Sequence, residues 1–260
     1  SFYGSIIKYL IKHPKEAIEM LNISKDVRDD LSSKTEYKII KNIPNALEEI
    51  FNIHELDYDK NESVILEKHI KAFLSNLKNE KFPSRKKPYP INYSLDSTAG
   101  VILYKICRML KPKKVVETGV AYGNSSAYIL LALQKNEKGT LYSIDSIFRP
   151  WESKEMIGSV IPNNLRENWK LIVGKSKERL KKTLLELEEI DIFFHDSLHT
   201  YKNMMFEFET AWPMIKKDGF LISDDVIGNN AFNDFCNSEN IIPTILGNDN
   251  WSLGLVKKIS

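Results

Sequence analysis

Apolar residues recur along this chain with two periods, and the change from one to the other divides it. Over the first 80 residues the spacing is helical. Ile6, Ile7, Leu10 and Ile11 make one apolar face, and Ala17, Ile18 and Leu21 make another after Pro14. The clearest helix is predicted over 62–78, where Leu66, Ile70, Phe73, Leu74 and Leu77 fall at helical spacing. Residues 81–95 read as a linker, because Pro83, Pro88 and Pro90 forbid a continuous helix. Its basic cluster, Arg85-Lys86-Lys87, reads as solvated surface. Asp96-Ser97 then caps a helix through Val101, Ile102, Ile106 and Leu110 that stops before Pro112.

Beyond Pro112, short apolar runs alternate with helical stretches, the mark of a parallel sheet covered on both faces. Strands are predicted at 114–118, 140–145, 169–173, 190–196 and 219–223. Helices are predicted at 124–135, after Ser176 and at about 200–216, and strands at 241–246 and 251–257 pair as a hairpin. The expected fold class is α/β. It is a Rossmann-like, doubly wound, mostly parallel seven-stranded sheet with a C-terminal hairpin, preceded by an N-terminal helical extension and linker over 1–90. That extension reads as a cap on the domain that follows; the sharper alternative is a lid or dimerisation arm.

Composition adds little. Hydrophobic residues make up 42% and charged residues 28%, as in ordinary globular chains, and a net charge of +2 announces neither nucleic acid nor membrane as a partner. No apolar run approaches the ~18 residues of a membrane span. The stretch Ile6–Ile11 is broken by Lys8 and makes a poor signal peptide, and the opening Ser1-Phe2-Tyr3 reads as a processed or trimmed start. Cys107 and Cys236 lack metal-ligand spacing, so they read as reduced, buried thiols of a cytoplasmic protein.

The candidate chemistry lies at the strand ends, where an open parallel sheet binds its ligand. The first strand runs into Glu117, Gly119 and Gly123, and a helix opens on Asn124-Ser125-Ser126. Glycine there admits a ligand close to the backbone, and the helix start offers N–H groups to an anion. Asp145 ends the second strand, Asp196 the fourth, and Asp224-Asp225 the fifth. Like charges so placed need a cation or donors to hold them together. Asp145 is placed for a ribose diol, Glu117 for an ammonium group and Ser125 for a carboxylate. A ligand carrying all three groups is an amino-acid nucleoside, and the lack of Gly-x-Gly-x-x-Gly argues against a dinucleotide.

Glu-Thr-Gly-Val-Ala-Tyr-Gly-Asn-Ser (117–125) resembles the first motif of class I S-adenosylmethionine-dependent methyltransferases. Phe-His-Asp-Ser-Leu-His-Thr-Tyr (194–201), followed by Ser-Asp-Asp-Val (223–226), is similar to the metal-dependent O-methyltransferases of the catechol and macrocin types. The resemblance covers about 95–258 and implies a methyltransferase domain over 91–260. It implies that Glu117, Gly119, Ala121, Gly123 and Ser125 hold the methionine part of S-adenosyl-L-methionine, Asp145 the ribose and Ser176 the adenine side, with Asp196 also touching the cofactor. It implies Asp196, Asp224 and Asp225 as ligands of Mg²⁺ or Mn²⁺; in the catechol type the last of these is an amide. His199 falls at the catalytic base position, and an imidazole takes a proton near neutral pH. His195 reads as packing or support, Tyr201, Met204 and Met205 as core, and Trp151 as either a lid or a surface anchor.

The expected function is methyl transfer to a hydroxyl of a small acceptor, most plausibly a sugar or glycosylated metabolite, with no nucleic-acid or membrane partner and scope for a homo-oligomer. Two alternatives use the same fold: a non-catalytic cofactor-binding or assembly subunit, and a nucleic-acid methyltransferase. Against the second, Asp196-Ser197-Leu198-His199 stands where base-methylating enzymes carry an Asn/Asp-Pro-Pro-aromatic clamp.

Overall fold

The computed structural model describes residues 7, 10–30, 35–52, 61–93, 95–248 and 250–259. Ile6 and the opening tripeptide lie outside them. Among the described residues, the N-terminal region includes the helices α1 (Pro14–Asp30), α2 (Ile43–Phe51) and α3 (Asn61–Lys78). Then α4 (Ser97–Leu110) leads into β1 (Lys114–Thr118), α5 (Asn124–Lys135), β2 (Thr140–Asp145), β3 (Trp169–Val173) and α6 (Ser176–Leu187). The chain closes with β4 (Ile190–His195), α7 (Tyr201–Ala211), β5 (Ile215–Asp224), α8 (Ala231–Ser238), β6 (Thr244–Gly247) and β7 (Ser252–Lys257).

One seven-stranded sheet takes the order β3-β2-β1-β4-β5-β7-β6, with β7 antiparallel to both of its neighbours. The expected architecture is thus present. Strand side chains alternate, and the alternation sorts the core into two layers. Val115, Ile192, Phe194, Phe220 and Ile222 face α4 and α5, whereas Val116, Phe193 and Leu221 face α6, α7 and α8. Each large apolar side chain so covered contributes roughly 1.5–3 kcal/mol.

The N-terminal region is not made of helices alone. Ile40 bridges Leu246 at the sheet edge, its N–H donating to the Ile245 carbonyl at 2.8 Å. Ala46 and Leu47 of α2 and Leu66 and Ile70 of α3 sit in the same apolar layer as α4 and α5. α1 differs, since it has no buried residue, and the face expected to pack, Ile18 and Leu21, stands 59% and 71% exposed. Within the linker, Lys87 is buried rather than solvated, because its ammonium donates to the Lys78 and Glu80 carbonyls at the end of α3. No helix among the described residues is long and apolar enough to cross a membrane.

Candidate active site

Strand register builds the site. Thr118 is paired with His195, and His195 with Ser223. The residues that follow these three, Gly119, Asp196 and Asp224, therefore emerge side by side, with Asp145 next to them at the end of β2. Together they line one cleft of about 810 Å³, a size that suits a nucleoside-amino-acid ligand with an acceptor beside it.

At one end lies the glycine turn. Asp145 accepts the N–H groups of Val120 (3.0 Å) and Ala121 (2.8 Å) on one oxygen and that of Ser146 (2.6 Å) on the other. Burial raises its pKa while these backbone donors oppose the shift. Gly119 and Ala121 have left-handed backbones, φ 82° and 47°, and both line the cleft with Ser125 and Ser176. Gly123 does not. Its φ is 97°, it precedes α5, and a Cβ there would stand 2.8 Å from the Gly158 Cα, so it serves close packing behind the turn.

Glu117 also departs from expectation. It shares the sheet face of Val115, so its carboxylate points under the first turn of α5 rather than into the cleft. There it accepts the hydroxyls of Ser125 (2.5 Å), Ser126 (2.6 Å) and Ser143 (2.7 Å) and is fully buried. The Ser125 hydroxyl is engaged in the same contact, which leaves the backbone N–H groups of the helix start to meet an anion.

Burial outweighs the three hydroxyls and pushes the Glu117 carboxyl up to about 7 from its usual 4.5. Between those values the folded state keeps a proton that the unfolded chain has lost. The stabilisation is complete below the unfolded value and lost as pH rises through about 7, on the order of 3 kcal/mol across the window. Glu117→Gln is expected to flatten this fall, read by denaturant unfolding at pH 5 and pH 8. An equal fall in both proteins would mean that Glu117 ionises as it does in the unfolded chain.

The other end of the cleft is acidic. Donor atoms of Asp196, His199 and Asp224 all lie within 4.8 Å of one another. Burial and then the Asp224 charge hold the Asp196 carboxyl well above its usual range, and burial and then Asp225 push Asp224 up to about 7. The His199 ring is about a quarter exposed (26%), but its Nε2 is sealed from solvent, makes no hydrogen bond and stands 4.0 Å from the Asp224 carboxylate. Burial and the neighbouring His195 depress its pKa to about 3, so the imidazole is neutral near pH 7. Asp225 was expected to complete the carboxylate trio, but it is not in the converging group. Its left-handed backbone (φ 47°) leaves it exposed on the rim of the cleft, with its N–H on the Ser252 carbonyl.

Several lining or supporting residues escaped sequence reasoning. Glu19, Ile23 and Val27 of α1, spaced four apart, form the stripe that covers the cleft. Glu19 pairs with Lys175, Asp26 with Lys202 (2.6 Å), and Asp30 accepts the Tyr201 N–H (2.8 Å) at the start of α7. The i, i+4 spacing of Ile23 and Val27 was legible, but Glu19 interrupts that stripe and Ile18 and Leu21 present a second apolar face that points outward. Glu207 is an acid on the buried stripe of α7 with Met204, Phe208 and Ala211, and that misplaced charge was its signal. Trp151 is an anchor, donating to the Pro88 carbonyl at 3.0 Å, and it does not line the cleft.

The strand order, with a glycine turn and a row of acids at the strand ends, is the Rossmann-like fold of the class I methyltransferases. Residues 116–226 match the family profile described as a methyltransferase domain. Comparison with curated proteins gives no match. Among solved structures, the O-methyltransferase of Bacillus cereus, in complex with SAH, is 16% identical; the match covers 84% of this chain and 98% of that one at a TM-score of 0.55. TomG of Streptomyces achromogenes, involved in tomaymycin synthesis and in complex with SAM, is 15% identical over 85% and 97%, also at 0.55. The SAH-bound methyltransferase PaMTH1 of Podospora anserina is 14% identical over 86% and 99% at 0.53. Identities this low establish a shared fold.

Proposed function

We propose that this protein transfers a methyl group from S-adenosylmethionine to a hydroxyl oxygen of a small acceptor, at a divalent cation held by Asp196 and Asp224. The observation that carries the reading is the convergence of Asp196, His199 and Asp224 at one end of a cleft whose other end holds Asp145 and Ser176. Two carboxylates that resist ionisation when left together, beside a buried imidazole nitrogen with no hydrogen bond, fit a small hard cation. Mg²⁺ and Mn²⁺ suit this oxygen-rich set. Such a cation, when bound, lowers the pKa of a hydroxyl that it contacts.

The chain's own groups supply the rest. Asp145 accepts from the ribose diol, while the N–H groups at the start of α5 face the cofactor's carboxylate. Asp196, beside Gly119, balances the ammonium group in place of the sequestered Glu117. His199, neutral and next to Asp224, receives the acceptor's proton. α1 lines the cleft with Ile23 and Val27, and an apolar cover of this kind helps to exclude water. Asn92, Asp96, Asp225, Asn250 and Trp251 also line the cleft. Several polar groups beside one flat ring suit an acceptor with many hydroxyls, such as a sugar or a glycosylated metabolite.

The test is methyl transfer from labelled S-adenosylmethionine to a panel of sugars and phenols, with and without chelator. Turnover on a sugar is expected to fall at least ~100-fold in chelator and to return with Mg²⁺ or Mn²⁺. Full turnover in excess chelator would remove the cation from the mechanism. His199→Gln is expected to lower turnover by about 10²–10⁴-fold with binding of S-adenosylhomocysteine retained. Wild-type turnover in that variant would place the base elsewhere.

A further inference from the structure

One buried carboxylate outside the cleft's lining grips both sides of Asp196. Glu207, on α7, is fully buried, as is His195, the residue before Asp196. Glu207 Oε2 lies 2.6 Å from His195 Nδ1 and accepts the Thr118 hydroxyl at 2.5 Å. Oε1 accepts the hydroxyl of Ser197, the residue after Asp196, at 2.8 Å, and the Asn203 side-chain amide at 3.1 Å. Every direction in which this carboxylate accepts is occupied by a donor from a segment that ends in the cleft. Because the carboxylate only accepts, His195 must carry its proton on Nδ1.

The same imidazole reaches His199. The two rings meet edge to face with centroids 5.1 Å apart, and Phe208 closes a further side of His195 at 5.4 Å. A fully buried imidazole–carboxylate hydrogen bond stands where an apolar contact between β4 and α7 could be, and a buried polar contact of this kind adds little net stability against apolar replacements. Specificity of position is the better account of it. Thr118, His195 and Ser197 flank the row of residues that reaches the cleft, and one side chain joins them all.

Resting on the cation reading above, we propose that Glu207, through His195 and Ser197, is the positioning residue that fixes Asp196 for cation binding and holds His199 in place beside it. Removing it leaves the ligands present but free to turn away. Supporting partners of this kind change metal affinity by about 10–100-fold when lost. A Gln at 207 turns one acceptor into a donor facing donors, so the register between β4 and α7 loosens at that point.

The experiment compares wild type, Glu207→Gln, Ser197→Ala and the exposed control Glu209→Gln. Mn²⁺ affinity is read by electron paramagnetic resonance, S-adenosylhomocysteine affinity by calorimetry, and folding by melting temperature. Glu207→Gln is expected to weaken Mn²⁺ binding about 10–100-fold and to broaden the spectrum of the bound ion, with nucleoside affinity held within about threefold. Ser197→Ala, a milder change that spares the His195–Glu207 hydrogen bond, is expected to weaken Mn²⁺ about 3–10-fold at an unchanged melting temperature, and Glu209→Gln to change nothing. If Glu207→Gln does not fold, the Ser197→Ala result decides. The proposal is overturned by wild-type Mn²⁺ affinity in both variants, or by Mn²⁺ and nucleoside affinities falling together with the melting temperature. Wild-type protein that binds no Mn²⁺ would instead sink the cation reading, and this role with it.

Discussion

Asp224→Asn is expected to lower Mn²⁺ affinity by roughly 100-fold or more, beyond the range for outer partners, while making the cation-free protein more stable at pH 8. The two effects have one cause. Asp224 ionises only near pH 7, held there by burial and by Asp225, so at pH 8 its charge is kept at a cost that a cation would relieve. The charge opposes Asp196 as well, whose own carboxyl is raised by Asp224. Asparagine removes this repulsion and with it a ligand. A gain of about 2 kcal/mol without cation is expected, discounted from the full shift because the side chain is partly exposed. Mn²⁺ titration and denaturant unfolding at pH 8, each with and without the ion, read both effects. A variant that binds Mn²⁺ like wild type would show that Asp224 is no ligand, and one that is less stable without the ion would show that the Asp224 charge is not held at a cost.

Gly119→Ala should be the most destabilising single change in the glycine turn. A Cβ at that position would stand 2.0 Å from the Asp196 carbonyl oxygen, 2.4 Å from its carbon and 2.8 Å from the Ser197 Cα. All three are backbone atoms of the turn that Glu207 pins, so none can swing aside as a flexible side chain would. The left-handed φ of 82° adds about 1–2 kcal/mol of its own for a residue with a Cβ. A loss of roughly 3–5 kcal/mol in unfolding free energy is expected, with weakened Mn²⁺ binding as Asp196 is displaced. Gly228→Ala is the comparison, since its nearest neighbour, an Asp225 side-chain oxygen, lies at 3.4 Å. Equal stability of the two variants would contradict the close approach of β1 to the β4–α7 turn.

Strands β1, β2 and β3 fall where the short apolar runs placed them, each bounded by Gly, Pro or charge; β1 is buried on both faces, whereas β3, at the sheet edge, is only partly covered. β5 begins four residues earlier than expected. Lys216, Lys217 and Asp218 look like a turn, yet Ile215 already pairs with Ile190 across an irregularity in the ladder. α8 was not anticipated: its eight residues include Asn233, Asp234 and Asn237, poor helix formers that tertiary packing of Phe232 and Phe235 overrides. The acids at the strand ends were legible as a set. Their division into cleft-lining groups, supports and buried anchors was not, since that depends on which sheet face each occupies. Glu117 and Thr118 are neighbours in sequence, but one turns to the serines of α5 and the other to Glu207 on α7.

Calorimetric titration of wild-type protein with S-adenosylhomocysteine, in the presence and absence of Mn²⁺, tests most directly whether one cleft serves both nucleoside and cation. Saturable binding of one nucleoside per chain is expected, with a second, separable Mn²⁺ event that Asp224→Asn removes and the nucleoside event survives. No nucleoside binding under either condition, or Mn²⁺ binding that Asp224→Asn leaves intact, would contradict the account.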